Sequence, residues 1–523
     1  MAIATVTCRA QFGLSAPPVQ VEVSLSSGLP YFSIVGLPAM VVKESKERVR
    51  AALLHSHFEF PAGRITVSLA PADLPKSGGR FDLPIALGIL LASGQISVRR
   101  RALGARDAPE GLSRTEFYGE LGLSGELRPV SGMFLAAAHA TREGHDVILP
   151  AQNVEEVSVL AQAARQATAI RPARHLLSVC AHLDGTSPLP PVSPGQAKDQ
   201  RDAPESNLDL SDVRGQLQAK RALTVAAAGA HSLLMIGPPG VGKSMLARRL
   251  PGLLPPMSEA ESLEVAAIAS ASGAGFRAGS FGQRPVRTPH HTASAVALVG
   301  GGSRARPGEI SLAHRGVLFL DELLEYDRRA LEALREPLES GVVSVTRAAL
   351  QAQYPAEFQL IAAMNPCPCG RLGDPNGQCR CTPAEVARYR ARVSGPLLER
   401  LDIHLEVPRV DASDFEETVG LRETSAAAAA RVVQARRIQL ERQGVCNARL
   451  DDGKIDRYCE PDGAGRAVLE RAVQQLGFSA RSRQRILKLA RTIADLDGAS
   501  GVSVAHVSEA VSYRGLDRRG NSG

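Results

Sequence analysis

Tryptophan is absent from the 523 residues, and all aromatics together make up only 4%. Extensive stacking of nucleic-acid bases on aromatic platforms is therefore not indicated. No window approaches the ~18 uninterrupted apolar residues that a membrane span needs. Met1-Ala2-Ile3-Ala4-Thr5-Val6 lacks the basic stretch and apolar run that open a secretory signal. The expected compartment is therefore the cytoplasm, with no membrane partner. Eight cysteines are too few for a disulfide scaffold in a chain this long. Charge of one sign is not extreme either: 61 Lys+Arg stand against 54 Asp+Glu, a net +7. That balance is compatible with nucleic acid without establishing it. What remains, 44% hydrophobic and 22% charged residues, is ordinary globular composition. The length suits about three or four domains.

The pattern along the chain predicts a multidomain α/β protein. Residues 1–182 mix β-rich runs (Val19–Val23, Ile65–Leu69, Val147–Leu149) with helical stretches at Leu83–Ala92 and Leu135–Thr141, an α+β pattern. Residues 183–206 are rich in Pro, Ser and Gly and read as a linker. Residues 207–407 alternate apolar strands and helices as a parallel sheet does. Residues 408–518 read as all-helical, with helices over Ala426–Arg442, Gly463–Leu476, Ala480–Leu496 and Val502–Tyr513. Residues 99–114, opening on Arg99-Arg100-Arg101, read as a solvated surface loop.

The chemistry starts at Gly237-Pro238-Pro239-Gly240-Val241-Gly242-Lys243-Ser244, between the apolar run Leu233–Ile236 and a helical segment opening on Met245. Buried strand, glycine turn and helix start are the context of a phosphate-binding loop. The glycines let backbone N–H groups converge on phosphate oxygens. Lys243 brings a charge and Ser244 a hydroxyl for Mg²⁺. A second strand, Val317–Leu320, ends in Asp321-Glu322. Asp321 is placed to hold Mg²⁺, and Glu322 to polarise the attacking water as a general base. A third apolar run, Phe358–Met364, ends in Asn365, whose amide suits the γ-phosphate or the water. Arg400, on a segment after the sheet, is either a surface charge or the finger that a ring ATPase offers to its neighbour's γ-phosphate. Arg481, opening a C-terminal helix, reads in the same two ways.

These motifs in this order resemble the AAA+ ATPases, and within them the magnesium-chelatase-like branch with an insert after the second helix. Lys243 and Asp321 stand 78 positions apart, which leaves room for such an insert. Within it, Gly282-Gln-Arg284-Pro-Val-Arg287-Thr-Pro-His290-His291-Thr, then Gly300-Gly-Gly and Pro307-Gly308-Glu309, is similar to the bacterial ComM/YifB family. The endings match too, with Gly215-Gln216 at the entry to the nucleotide pocket and His506 through Arg518 at the C-terminus. The resemblance implies ATP and Mg²⁺ as cofactors. ATP contacts fall on Gly215, Gln216 and the loop Gly237 to Met245, with Mg²⁺ on Ser244 and Asp321. It further implies a homo-hexamer that moves single- and double-stranded DNA and branched intermediates, a branch-migration motor for homologous recombination during transformation. Arg284, Arg287, Arg304, Arg306 and Arg347, with His290 and His291, are candidates for contact with the phosphate backbone in its pore; for the two histidines a plain structural role stays open. A metal-chelatase subunit and a protein-remodelling ATPase are the alternatives.

Gly119-Glu120 through Gly132 and Val147–Pro150 are similar to the Lon protease domain, and the N-terminal block is expected to share that fold. A Lon-type reaction needs a serine activated by a lysine. In Lys76-Ser77-Gly78-Gly79-Arg80, Arg80 falls where the serine would, and Gly132-Met133-Phe134-Leu135-Ala136 holds no lysine. Proteolysis is therefore not expected. Cys367-Pro-Cys369 and Cys379-Arg-Cys381, nine residues apart, are either four zinc ligands or free thiols.

Overall fold

Along Pro18–Ser26, Val19, Val21 and Val23 point to the core while Pro18 and Gln20 stay exposed, the two-residue alternation of a half-buried strand. This strand anchors a seven-stranded mixed sheet. Its order is Tyr31–Val35, Arg64–Ala70, Pro18–Ser26, Ala2–Arg9, Thr115–Phe117, Asp146–Pro150, Ile170–Ala173. Pro18–Ser26 runs antiparallel to both its neighbours. The remaining pairs are parallel. The helix Asp82–Ala92 lies on this sheet with Asp82 through Leu90 all buried. Gly88 lets it press in, since a Cβ there would stand 2.4 Å from Val23 Cγ2.

The computed structural model describes residues 2–99, 112–163, 168–193, 208–302, 305–347, 350–374, 377–410 and 423–516. Most of the expected 99–114 loop, much of the 183–206 linker and the end of the chain through 518 lie outside them, as do Arg304 and the side chain of Arg347. The helices Leu83–Ala92 and Leu135–Thr141 expected in the N-terminal block are found as Asp82–Ala92 and Met133–Arg142. Met40–His55, Val154–Ala163 and Leu176–Leu183 are further helices there. In Met40–His55 the lysines and glutamates mask a helical stripe of Val42, Ser45, Val49, Ala52 and Leu53, all buried.

The chain divides into two compact units, residues 1–203 with 262–281 and 349–353, and the remainder. The boundary drawn at 207 is thus crossed by two segments, 262–281 and 349–353. Residues 262–281 place Ala266, Phe276 and Ala278 in the core of the first unit. Phe276 stacks on Phe134 with ring centroids 5.6 Å apart, and Ser270 hydrogen-bonds the buried carboxylate of Glu156.

The second unit is built on a five-stranded, wholly parallel sheet ordered Val286–Arg287, Val317–Leu320, Gln359–Met364, Leu233–Ile236, Ile403–Glu406. The three strands whose tips carry the proposed chemistry are therefore adjacent, and Gln359–Met364 lies between the phosphate-loop strand and the carboxylate strand. The C-terminal helices are Ser425–Gln443, Gly463–Leu476, Ala480–Leu496 and Val504–Ser512. They share one core with the helix Leu217–Gly229 and the sheet, so the 207–407 and 408–518 blocks fold as one body. Among the described residues, no helix is long and apolar enough to cross a membrane.

Asp402 ties the helical block to the sheet. It accepts from the backbone and hydroxyl of Ser232 at 2.8 and 2.9 Å and pairs with Arg485. Burial alone would push its carboxyl up. Arg485, His231 and the Ser232 amide overcome that and hold it well below the usual carboxylate range. The folded group titrates below its unfolded value of about 3.9, so its stabilisation is full above that pH and lost only as pH falls towards the folded value. Asp402→Ala, which leaves Arg485 without this partner, is expected to cost about 3–5 kcal/mol, read as a lowered denaturation midpoint at neutral pH.

Candidate active site

The fully buried strand Leu233–Ile236 delivers the chain into the glycine loop, and the helix Lys243–Ala247 leaves it. Gly240 and Gly242 take φ of +81° and +93°, which side-chain-bearing residues rarely adopt. Gly237 has its own reason to be glycine: a Cβ there would meet the Val407 carbonyl oxygen at 2.3 Å. The next residue, Pro408, accepts a 2.7 Å hydrogen bond from the Gln216 side chain. This brings the Gly215-Gln216 turn to the back of the loop, with both residues in left-handed backbone. Met245 is partly exposed beyond it.

Lys243 Nζ donates to the carbonyls of Gly237 (2.6 Å) and Pro238 (2.9 Å) and to Asn365 Oδ1 (3.2 Å). Burial lowers its pKa, against the pull of Asp321 and Glu322. Ser244 Oγ donates to Asp321 Oδ2 at 2.6 Å. Lys243, Ser244, Asp321 and Asn365 thus converge from three adjacent strand tips. An alcohol and a carboxylate in direct contact, both hard oxygen donors, fit Mg²⁺. Glu322 sits at φ +51°, a strained setting for a side-chain-bearing residue, and its N–H donates to Asp321 Oδ1 at 2.9 Å.

The insert reaches this centre. His291 Nδ1 lies 3.1 Å from Glu322 Oε2, and its ring stacks on His290 at 4.1 Å between centroids. Tyr326 donates to the Pro289 carbonyl at 2.5 Å, fixing the same turn. His291, read from sequence as a DNA or interface contact, is a neighbour of the Glu322 carboxylate, while His290 is exposed. Arg306 is exposed on the strand Arg306–Pro307. Arg284 is drawn inwards, donating to the carbonyls of Pro255 (2.7 Å) and Arg315 (2.5 Å). Arg287 makes a two-pronged pair with Glu309 at 2.6 and 2.8 Å. Both are held by the protein itself.

Arg400 and Arg481 meet on one carboxylate. Arg400 Nη2 lies 2.7 Å and Arg481 Nη2 2.6 Å from Glu339 Oε1. Arg400 also donates to the Pro396 carbonyl at 2.6 Å. The hydrogen bond from Arg400 holds the Glu339 carboxyl below its usual range. Neither arginine bonds Lys243, Asp321 or Glu322. Glu339 carries no sequence signal, since it sits in the short helix Arg335–Ser340 among other glutamates.

The four cysteines come together. Sγ–Sγ separations are 3.4 Å (Cys367–Cys369), 3.7 Å (Cys367–Cys379) and 3.6 Å (Cys369–Cys379). All four sulfurs, Cys381 included, lie within 4.8 Å of one another. Backbone N–H groups of Arg371 and Arg380 donate to Cys369 and draw its thiol down to about 6.

In the first unit, the Arg80 guanidinium is buried against the carbonyls of Arg9 (3.3 Å) and Ser131 (2.5 Å). Lys76 turns inwards to the Pro71 carbonyl, and no hydrogen bond joins it to Ser77. Phe134 is a core residue. No serine–lysine pair forms among these residues.

Three family models match the chain in order. They are Subunit ChlI of Mg-chelatase over residues 21–153, Magnesium chelatase, subunit ChlI over 209–415, and Magnesium chelatase, subunit ChlI C-terminal over 422–514. The protein YifB of Salmonella typhimurium is 47% identical over 520 residues, 99% of this chain and 98% of that protein. Competence protein ComM of Haemophilus influenzae is 46% identical over 519 residues, again 99% and 98%. The chain belongs to the ComM/YifB family. A weaker likeness, 29% over 190 residues, links 31% of the chain to the Magnesium-chelatase 67 kDa subunit of Heliobacterium mobile, 28% of that protein. Membership makes the second unit a magnesium-chelatase-like AAA+ ATPase body, the class to which ATP and Mg²⁺ belong.

Proposed function

We propose that this ComM/YifB-family chain is a hexameric AAA+ ATPase that works as a DNA motor in the cytoplasm, a branch-migration helicase promoting homologous recombination during natural transformation. The carrying observation is its 46% identity with Competence protein ComM across 99% of the chain. Two features of the site support it. Lys243, Ser244, Asp321, Glu322 and Asn365 supply phosphate binding, metal and base from one subunit. Arg400 and Arg481, gathered on Glu339 and bonded to none of these, are read as groups offered to a neighbour's nucleotide. The four thiols are assigned one structural zinc ion.

DNA would be held through phosphate contacts from Arg304, Arg306, Arg347 and His290. Arg284 and Arg287 would shape the loop that presents them. Such binding is sequence-independent and strongly salt-dependent, with a log–log slope of about −0.9 per phosphate neutralised on duplex. Equilibrium binding at stepped salt is expected to show a steep slope, which Arg306→Ala makes shallower by about one per engaged subunit. Absence of binding at low salt contradicts the reading.

The likeness to the Heliobacterium mobile subunit keeps a second reading, a metal-chelatase-type ATPase subunit. Loading of metal into a porphyrin with a partner subunit, with no DNA dependence of ATP turnover, would favour it.

A further inference from the structure

We propose that Cys367, Cys369, Cys379 and Cys381 bind one zinc ion and that the resulting knuckle braces the nucleotide site, so that the metal sets the rate of ATP turnover. The brace rests on the ATPase reading of Lys243, Asp321 and Asn365; the metal site does not.

Three of the four sulfurs stand at the spacing a tetrahedral site requires, and the Cys381 sulfur lies within 4.8 Å of each. A Zn–S bond of about 2.3 Å places the sulfurs about 3.8 Å apart, and the three separations are 3.4, 3.7 and 3.6 Å. Disulfides need about 2.05 Å between sulfurs, and all four cysteines are free. Four soft donors with no oxygen ligand suit zinc and not magnesium or calcium. The loop also needs closing. Between the two cysteine pairs it reads Gly370-Arg-Leu-Gly-Asp-Pro-Asn-Gly-Gln378, with a single large apolar residue. Such a segment has little core to fold around, and metal binding supplies the missing ordering energy.

The loop is attached to the nucleotide site at both ends. Cys367 is fully buried two residues after Asn365, whose amide oxygen takes the Lys243 ammonium. The turn at Gly370 lies directly on the phosphate loop. A Cβ there would stand 2.8 Å from Pro239 Cδ and 3.9 Å from Asn365 Cγ, and φ is +76°. Arg390, on the helix that follows Cys381, donates twice to the Pro366 carbonyl at 3.2 and 3.1 Å. Asp374 pairs with Arg409, just beyond the strand Ile403–Glu406, at 3.4 Å. The metal therefore closes a strap from Asn365 over Pro239 and back to Pro366. Opening it would free Asn365 and Pro239 to drift, and a 1 Å misplacement at a reacting centre can cost roughly a hundred-fold in rate.

The full chain should purify with close to one zinc per subunit, released by thiol-specific mercurial and read with a chromogenic chelator. Cys379→Ser/Cys381→Ser should lose the zinc and lower DNA-free ATP turnover by about ten- to a hundred-fold. Because that variant can fail to fold, two other measurements decide the brace. Stripping zinc from the wild-type protein should lower turnover, and zinc, not magnesium, should restore it. Gly370→Ala should keep its zinc yet lose turnover by pushing on Pro239. Wild-type protein without stoichiometric zinc overturns the metal site. Zinc-free protein with full turnover, or unimpaired Gly370→Ala, overturns the brace. A zinc-loaded wild-type protein with no ATP turnover overturns the ATPase reading and the brace with it, and leaves the metal site standing.

Discussion

Arg400→Ala should lower ATP turnover by about 10³–10⁵-fold while leaving ATP affinity nearly unchanged. That is the range an arginine finger contributes by stabilising charge on the transferring phosphoryl group. The reason lies in the placement of the guanidinium. It is held at 2.7 Å on Glu339 and is bonded to none of Lys243, Ser244, Asp321 or Asn365. A residue so placed contributes nothing to its own subunit's ground-state binding. On the proposed reading it acts when a neighbour brings a nucleotide to it. Mixing supplies the test. Subunits carrying Arg400→Ala and subunits carrying Glu322→Gln should each be inactive, yet mixed rings should recover part of the turnover. In them, some interfaces pair an intact Arg400 with an intact Glu322. A mixture as inactive as its parents would show that Arg400 does not act across an interface. Thermal melting separates this from simple loss of the Glu339 contact.

Glu322→Gln should reduce turnover by about 10²–10⁴-fold, the span of a positioned general base, with ATP and DNA binding retained. Glutamine keeps the size and the hydrogen-bonding reach but cannot accept a proton from water. The strained backbone at φ +51° and the bond from the Glu322 N–H to Asp321 should survive the change, since neither involves the carboxylate. His291, 3.1 Å from that carboxylate, should keep its place. An equal loss of ATP binding would mean that Glu322 holds the nucleotide or its metal instead.

Much of this centre is legible from local sequence. A buried strand, a glycine turn and a lysine leave few alternatives, and paired carboxylates at the end of an apolar run announce a strand tip. The same locality makes the four C-terminal helices readable to within two residues at every end. Where a feature depends on distant segments meeting, the sequence is mute. Arg400 and Arg481 stand 81 positions apart (481 − 400), and nothing in Arg335–Ser340 marks Glu339 as their common partner. Residues 262–281 follow the phosphate loop in the chain but fold with the first unit, because Ala266 and Phe276 find their core there. His291 belongs to the insert, and only the turn fixed by Tyr326 brings it to Glu322. Two Cys-x-Cys pairs leave zinc ligands and free thiols both open; that the Gly370 turn rests on Pro239 could not be read from spacing.

The most direct test of the motor reading is displacement on a four-way DNA junction, followed by the release of labelled arms with and without ATP. Wild-type protein should move the branch point only with hydrolysable ATP, while Glu322→Gln binds the junction and leaves it in place. Full ATP turnover on junction DNA with no movement of the branch point, under conditions where the protein is bound, would contradict the account.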